Sequence, residues 1–369
     1  TLVAATVGVG IFGIPLAFAK AGFGVGFLFL IGIAAVLIIT NLLYGEVVLR
    51  THNRHQFIGY VHAYLGPIAR KVAVLNFWIA VFGSVLGILI INGQFASDFI
   101  RLVIGISIRS EILSTIFFVL LIILALRGLR TVARIDSWIL IAFTVIIGGI
   151  VTIGMPQITL SNFTFFNDPH YWYLPFGVLL FSLNGIQGIP LVREMLVGRE
   201  TFVRRALIVG TLIPAVFYAL FAFTVVGITG DTTTPTALSG LETMLGSGII
   251  IVGTLFGFLS STTIFLSMAI AFRESLIQDF HIHSRTVFIT LMLIPYLLFI
   301  LGVRDFVSVI GLVGGIAVSI DTVMLILMYL RAKKIGTRAP EYTMRLSPTW
   351  LYVIGICFIL GSGYTFFIH

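Results

Sequence analysis

Residues 10–15 read Gly-Ile-Phe-Gly-Ile-Pro, and residues 185–190 read Gly-Ile-Gln-Gly-Ile-Pro. Gly8, Gly10 and Gly13 weaken any helix that contains them, and Pro15 cannot donate a backbone hydrogen bond. Asn184, Gly185, Gly188 and Pro190 do the same at the second site. Both stretches lie inside long apolar runs, so each predicts a helix broken near the middle of a membrane. An unwound segment there exposes N–H and C=O groups, which are costly to leave unpaired in a dry interior. The break is tolerable where it lines a cavity with a polar occupant. Freed N–H groups at a half-helix terminus suit a carboxylate, and freed carbonyls suit an ammonium or a sodium ion. A zwitterionic amino acid supplies both charges. Glycine also serves close packing between membrane helices, and proline can mark a simple kink. Two such motifs at matching positions favour a binding site over packing.

Other residues carry weaker chemical signals. Asp321 lies ten residues before Arg331, hence about 15 Å inside a helix end, at mid-bilayer depth. An isolated carboxylate there is expensive and points to proton coupling or a gate. Ser260, Ser261, Thr262 and Thr263 form four consecutive hydroxyls in an apolar run. They exceed one helical turn and cannot all face one site, although two adjacent ones can; each can also bond back to its own helix. Ser84 and Asn92, eight residues apart, share a face that either lines a cavity or packs against neighbours. Glu46 with Arg50, and Asp98 with Arg101, read as ordinary ion pairs at helix ends. The seven histidines (His52, His55, His62, His170, His281, His283, His369) fall in loops or at ends, and the single cysteine, Cys357, sits in an apolar run. No disulfide framework, metal centre or cofactor is expected.

These residues are positioned by a chain that is 59% hydrophobic and 10% charged, with a mean hydropathy of +1.14. A soluble domain of this length needs a far more charged surface. The apolar runs approach 20 residues and predict helices, without the short alternation of barrel strands. Eleven spans are expected, at about 1–22, 24–49, 72–100, 111–127, 135–155, 172–196, 206–229, 244–272, 286–302, 306–330 and 348–368. Loops following even-numbered spans hold eighteen of the 22 Lys and Arg, among them Arg50, Arg130, Arg134, Arg199, Arg285 and Lys334, whereas Lys20, Arg101, Arg109 and Arg304 lie on the other side. The asymmetry places the basic loops, and the N-terminus, in the cytoplasm of a cell membrane. The net charge of +8 is thus a topology signal. Nucleic-acid binding is a poor reading, because the basic residues are spread over five loops. The chain opens at Thr1 without a signal-peptide pattern, which reads as a shortened first helix. Nothing in the sequence fixes an oligomeric state.

The two glycine–proline motifs fall in spans 1 and 6. Five spans separate them, so the two helices run in opposite directions. The expected architecture is an inverted repeat in a single membrane domain over 1–369: repeat one about 1–155, repeat two about 172–330, and an extra helix at about 348–368.

The run Gly8-Val-Gly-Ile-Phe-Gly-Ile-Pro15, continued by Leu-Ala-Phe-Ala-Lys-Ala-Gly22, resembles the amino acid/auxin permease family, with its bacterial aromatic amino acid permeases, in the amino acid–polyamine–organocation superfamily. Tyr44-Gly-Glu-Val-Val-Leu-Arg50, Phe181-Ser-Leu-Asn-Gly185 and Arg338-Ala-Pro-Glu-Tyr342 extend the likeness over nearly the whole chain. The resemblance implies a leucine-transporter-type fold of five plus five helices, alternating access, and coupling to a sodium or proton gradient. It places the substrate carboxylate at the backbone of Gly8, Val9, Gly10 and Ile11, beside Phe12, and the amino group at carbonyls near Phe181, Ser182 and Asn184. The first half of helix 1 is nearly absent, which departs from the pattern. In sodium-coupled relatives, an oxygen cage combines helix-1 carbonyls with two helix-8 hydroxyls and a helix-8 carbonyl. Alignment through Ile270-Ala-Phe272 carries that cage onto Ala4, Val7, Gly257, Ser260 and Ser261. The lysine amine that some proton-coupled relatives place there from helix 5 has no counterpart in span 5, which favours sodium, with protons the alternative.

The expected function is secondary active transport of small amino acids across a lipid bilayer. A channel would need a polar stripe through the membrane, and an embedded enzyme would need a catalytic cluster. The spans offer neither.

Overall fold

The computed structural model of the chain describes residues 2–127, 132–280 and 282–368. Thr1, Arg130, His281 and His369, and the side chain of Arg134, lie outside what it describes. Span 1 is split into α1 (Leu2–Thr6), a 3-10 turn at Val9–Gly13, and α2 (Ile14–Ala21). Then follow α3 (Phe23–Arg50), α4 (Phe57–Leu65), α5 (Pro67–Ile104), α6 (Ser110–Arg127) and α7 (Val132–Gly154). Span 6 is split into α8 (Leu174–Leu183), a 3-10 turn at Ile186–Gly188, and α9 (Ile189–Met195). The chain continues through α10 (Val203–Thr229), the short α11 (Glu242–Leu245), α12 (Ser247–Phe280) and α13 (Arg285–Ile300). Span 10 comprises α14 (Phe306–Val313), a π turn at Gly314–Val318 and α15 (Ser319–Ile335), and α16 (Pro348–Ile368) closes the chain. Among the described residues, eight helices are long and apolar enough to cross a membrane, and three shorter apolar ones cover Val9–Ala21, Ile141–Gln157 and Arg285–Ile300. Together they account for the eleven spans.

Lipid tails are as apolar as leucine, so the hydrophobic effect holds these helices together only weakly, and close backbone approach matters more. A Cβ built on Gly177 of α8 would lie 2.7 Å from the Gly311 carbonyl carbon of α14. One built on Gly314 would lie 2.6 Å from the Phe181 nitrogen. α8 and span 10 therefore touch backbone to backbone. On one face of the bundle the segment after α7 crosses the start of α3: Gly24 N–H donates to the Thr164 carbonyl at 3.2 Å and Val25 N–H to the Phe165 carbonyl at 3.0 Å. Gly22 makes the corner between α2 and α3, with φ at +98° and no room for a side chain beside Phe166. Both constraints select glycine.

The opposite, basic face holds α4, which the span count passed over because nine residues cannot cross a bilayer. Its Phe57, Tyr60, Val61 and Tyr64 are buried. Beside it, residues 336–346 strap the end of α3. Glu46 is fully buried, 2.8 Å from Arg50, and accepts the Met344 N–H at 2.5 Å. The expected pair is therefore also an anchor for the strap. Tyr342 donates to the Leu42 carbonyl at 2.7 Å, and burial raises its hydroxyl well above the usual phenol range, so it remains a donor. On the other face Arg101 pairs chiefly with Glu242, at 2.7 Å, and stands 4.0 Å from Asp98.

Gly177→Ala should lower stability by about 1–3 kcal/mol, because only backbone faces the new methyl and it cannot turn aside. Gly148→Ala, with nothing within 4 Å of its Cβ, should be neutral or slightly stabilising. Thermal unfolding of the two detergent-purified variants, followed by size-exclusion fluorescence, compares them.

Candidate substrate and ion site

The two breaks lie against each other. A Cβ on Gly10 would sit 3.0 Å from the Ser182 Cα, and one on Gly188 would sit 2.9 Å from the Ala5 Cβ. Gly185 meets Thr6 in the same way. The expected breaks, about 8–13 and 182–188, are thus found where the glycines stand, but as 3-10 turns rather than fully open chain. Proline follows each turn at the second position of the next half-helix, where a missing N–H costs nothing.

In the first break Val7 N–H still reaches the Val3 carbonyl at 2.8 Å, Gly8 is extended, and Ile11 N–H reaches the Gly8 carbonyl at 3.4 Å. No described residue offers a backbone acceptor to the N–H groups of Gly8, Val9 or Gly10. The Gly8 N–H is turned toward the hydroxyl of Tyr218, and the free N–H groups of Val9 and Gly10 at the head of a helical turn make an anion-binding arrangement. The side chains of Val9 and Ile11 are buried in the core, so these residues present only backbone to a ligand. Phe12 lies edge-on to Phe95 of α5 and Phe221 of α10, with ring centroids at 4.9 and 6.1 Å. Its ring belongs to the aromatic cluster that these three residues form.

In the second break the Asn184 carboxamide oxygen accepts the Ile186 N–H at 3.3 Å, shaping the turn. The Ser182 hydroxyl donates to the Val178 carbonyl at 2.7 Å. Tyr218 of α10, which the sequence analysis did not single out, ties the halves together. Its hydroxyl is 3.1 Å from the Thr6 carbonyl and 3.0 Å from the Ser182 carbonyl. A phenol has one proton, so two carbonyls share it and both retain accepting capacity for an ammonium. Phe181 is partly buried, with its backbone against Gly314.

The residues carried over to an ion cage fall in two places. Ala4 and Val7 are partly buried beside the first break. Helix α12 does pass it, since Ile264 lies 3.3 Å from a Cβ built on Gly8. Ser261, however, gives its hydroxyl to the Gly257 carbonyl, at 2.7 Å, and to the Asn92 carboxamide oxygen of α5. Gly257 faces the Phe95 ring. Among the described residues no hydrogen bond links Ser260, Ser261 or Gly257 to Ala4 or Val7. Thr262 and Thr263 bond back to the Phe258 and Ser260 carbonyls. Asp321 stands apart from both breaks, held by Asn76 of α5.

A family profile described as the tryptophan/tyrosine permease family matches residues 1–363. The chain belongs to that family. The permease motifs first suggested the amino acid/auxin permeases and their bacterial aromatic members; the match falls on the aromatic side, and the wider name rests on the motifs alone. This permease is also similar to the crystal structure of MhsT in complex with L-phenylalanine, with a TM-score of 0.71 at 14% identity, covering all of this chain and 96% of that one. The likeness establishes the leucine-transporter-type fold, with spans 1 and 6 broken. No curated protein sequence matches.

Gly10→Leu should abolish substrate binding and also lower the unfolding temperature, because its side chain must force apart the two breaks where Gly10 meets the Ser182 backbone; binding to detergent-purified protein and thermal unfolding read the two losses. Tyr218→Phe removes the shared donor from two buried carbonyls and should cost about 1–3 kcal/mol of stability, read as a lower unfolding temperature, together with weaker binding.

Proposed function

We propose that this permease carries aromatic amino acids through a cell membrane by alternating access, with the substrate zwitterion held between the breaks of spans 1 and 6. The observation that carries the reading is the pair of free N–H groups at Val9 and Gly10, beside the Thr6 and Ser182 carbonyls that share the Tyr218 hydroxyl. The N–H groups suit a carboxylate and the carbonyls an ammonium. The aromatic preference draws on the tryptophan and tyrosine of the family name and on the phenylalanine bound by MhsT. Phe12 and Phe181 would flank the substrate side chain. The basic loops would face the cytoplasm, and the N-terminus with them.

Transport would be driven by a sodium or a proton gradient. A sodium site at Ala4, Val7, Gly257, Ser260 and Ser261 would require the Ser261 hydroxyl to turn away from Asn92. The proton reading rests on Asp321, an acidic group inside the bundle with no basic partner among its hydrogen bonds.

Counterflow in proteoliposomes against all twenty amino acids tests the proposal. Tryptophan, tyrosine and phenylalanine should exchange with saturation, while lysine and glutamate should not. Non-saturating flux would indicate a channel, and consumption of the substrate would indicate an enzyme. Exchange confined to small aliphatic substrates would overturn the aromatic preference.

A further inference from the structure

Asp321 is the acidic residue of α15 and is partly buried between that helix and its neighbours. Asn76 of α5 donates from its Nδ2 to the Asp321 carboxylate at 2.8 Å and to the Ala317 carbonyl at 3.0 Å. Ala317 belongs to the π turn Gly314–Val318. A π turn shifts the helical hydrogen-bond register and leaves backbone groups available to side chains. Two buried polar atoms here have no partner, the Asn76 Oδ1 and the Tyr44 hydroxyl of α3. Tyr44 lies within electrostatic reach of Asp321 and of Tyr60 on α4.

The surroundings decide what this cluster can hold. α3 contributes Tyr44, with Glu46 and Arg50 nearer its end paired to each other at 2.8 Å, and α5 contributes the neutral Asn76. α4 contributes Tyr60, while His62 is exposed and the Tyr64 hydroxyl is bonded to Thr51. α8 has no titratable residue. The titratable residues described on α16, Tyr352, Cys357 and Tyr364, are all exposed. On α15 itself the nearest charge is Arg331, which donates to the Tyr64 carbonyl. Among the described residues no Lys, Arg or His pairs with Asp321, and a lone carboxylate at this depth is stable only with a cation or a proton. Tyr44 fits the proton. A phenol donates to a carboxylate and accepts from a carboxylic acid; the Tyr44 hydroxyl makes neither bond in this structure and would have to turn toward Asp321 to serve either state. Loading would move one proton from water to the carboxylate and unloading would return it, with no other bond made or broken.

The same turn touches the substrate site. Gly314, three residues before Ala317, packs its Cα against the Phe181 backbone. A change in how Asn76 holds Ala317 therefore bears on the wall that Phe181 would give the substrate.

We propose that Asp321, with Asn76 and Tyr44, is a proton-loading site whose occupancy is passed through the π turn at 314–318 to the Phe181 side of the substrate site. This rests on the permease reading above. Asp321 carries the proton; Asn76 and Tyr44 are positioning residues.

The test uses the full chain in proteoliposomes with radiolabelled L-tryptophan. In Asp321→Asn, which mimics the loaded state, counterflow at equal pH should stay within about twofold of wild type. Uphill accumulation driven by an acid-outside pH gradient without sodium should fall to the equilibrium level, and tryptophan-induced alkalinisation of the outer medium should vanish. Asp321→Glu should restore both in part. Independently of transport, infrared titration should show a carboxylic-acid band in wild type that is missing from Asp321→Asn, and Tyr44→Phe should move its midpoint. The proposal is overturned if Asp321→Asn still accumulates tryptophan on a pH gradient, or if the infrared band is unchanged. It is equally overturned if accumulation follows sodium alone and Asp321→Asn removes that dependence. Loss of counterflow in both variants would assign Asp321 a structural role. Failure of the wild type to exchange tryptophan would count against the permease reading, and the infrared band would still decide the site.

Discussion

Inside a membrane every backbone N–H and C=O must find a partner within the protein, and this constraint shapes the centre of the molecule. The chain breaks two helices at mid-membrane and then limits the damage. Each break tightens into a 3-10 turn, a proline begins the next half-helix where its missing N–H is harmless, and the two turns are pressed together so that one shields the other. Asn184 supplies one acceptor, and Tyr218 supplies one donor to two carbonyls. What remains unsatisfied is a small, directed set: the N–H groups of Val9 and Gly10, and carbonyls served by half a proton each. The broken backbone is polar where a ligand fits and closed elsewhere.

The close fit of the turns depends on glycine contacts that extend beyond them. Gly10 against Ser182 joins the two breaks, and Gly314 against Phe181 joins the second break to span 10. Contacts between backbones have no side chain to rearrange, so a displacement at one is felt at the next. The aromatic cluster of Phe12, Phe95 and Phe221 has the opposite property. Its rings can reorient, which suits a wall that must admit one side chain and then release it.

How much of this the sequence disclosed follows from residue type. The breaks were legible because glycine and proline act on the backbone directly, and because the same motif recurs at matching places in antiparallel helices. The spans were legible from apolar length, and the basic loops from lysine and arginine. Tyr218 was not, since a phenol in an apolar run looks like any other aromatic until the fold shows what its hydroxyl reaches. Asn76, near the start of span 3, carries no signal in the sequence, and only the fold shows it buried against Asp321. The π turn leaves no trace in the Gly-Gly-Ile-Ala-Val run that forms it. The helix-12 hydroxyls show the reverse case: their type was legible but not their direction, and Ser261 turned toward Asn92. α4 escaped notice because nine residues with one buried face resemble neither a span nor a loop.

The end of α3 is held more firmly than a helix end usually is. The last carbonyls of a helix have no partner within it, yet here Arg193 reaches those of Val48 and Thr51, at 2.6 and 2.9 Å. Arg338 reaches that of Leu49, and the Thr337 and Arg338 N–H groups reach that of Arg50. The carbonyls of Val48, Leu49 and Arg50 are thus clamped by segments remote in sequence, one of them carried by α9, the half-helix just past the second break, while that of Val47 takes the nearby Thr51 hydroxyl. Such an end does not fray. The half-helix and the strap grip the same end of this 28-residue helix, so any tilt of α9 is passed straight to the strap and, through it, to the end of α15, with no slack to absorb it.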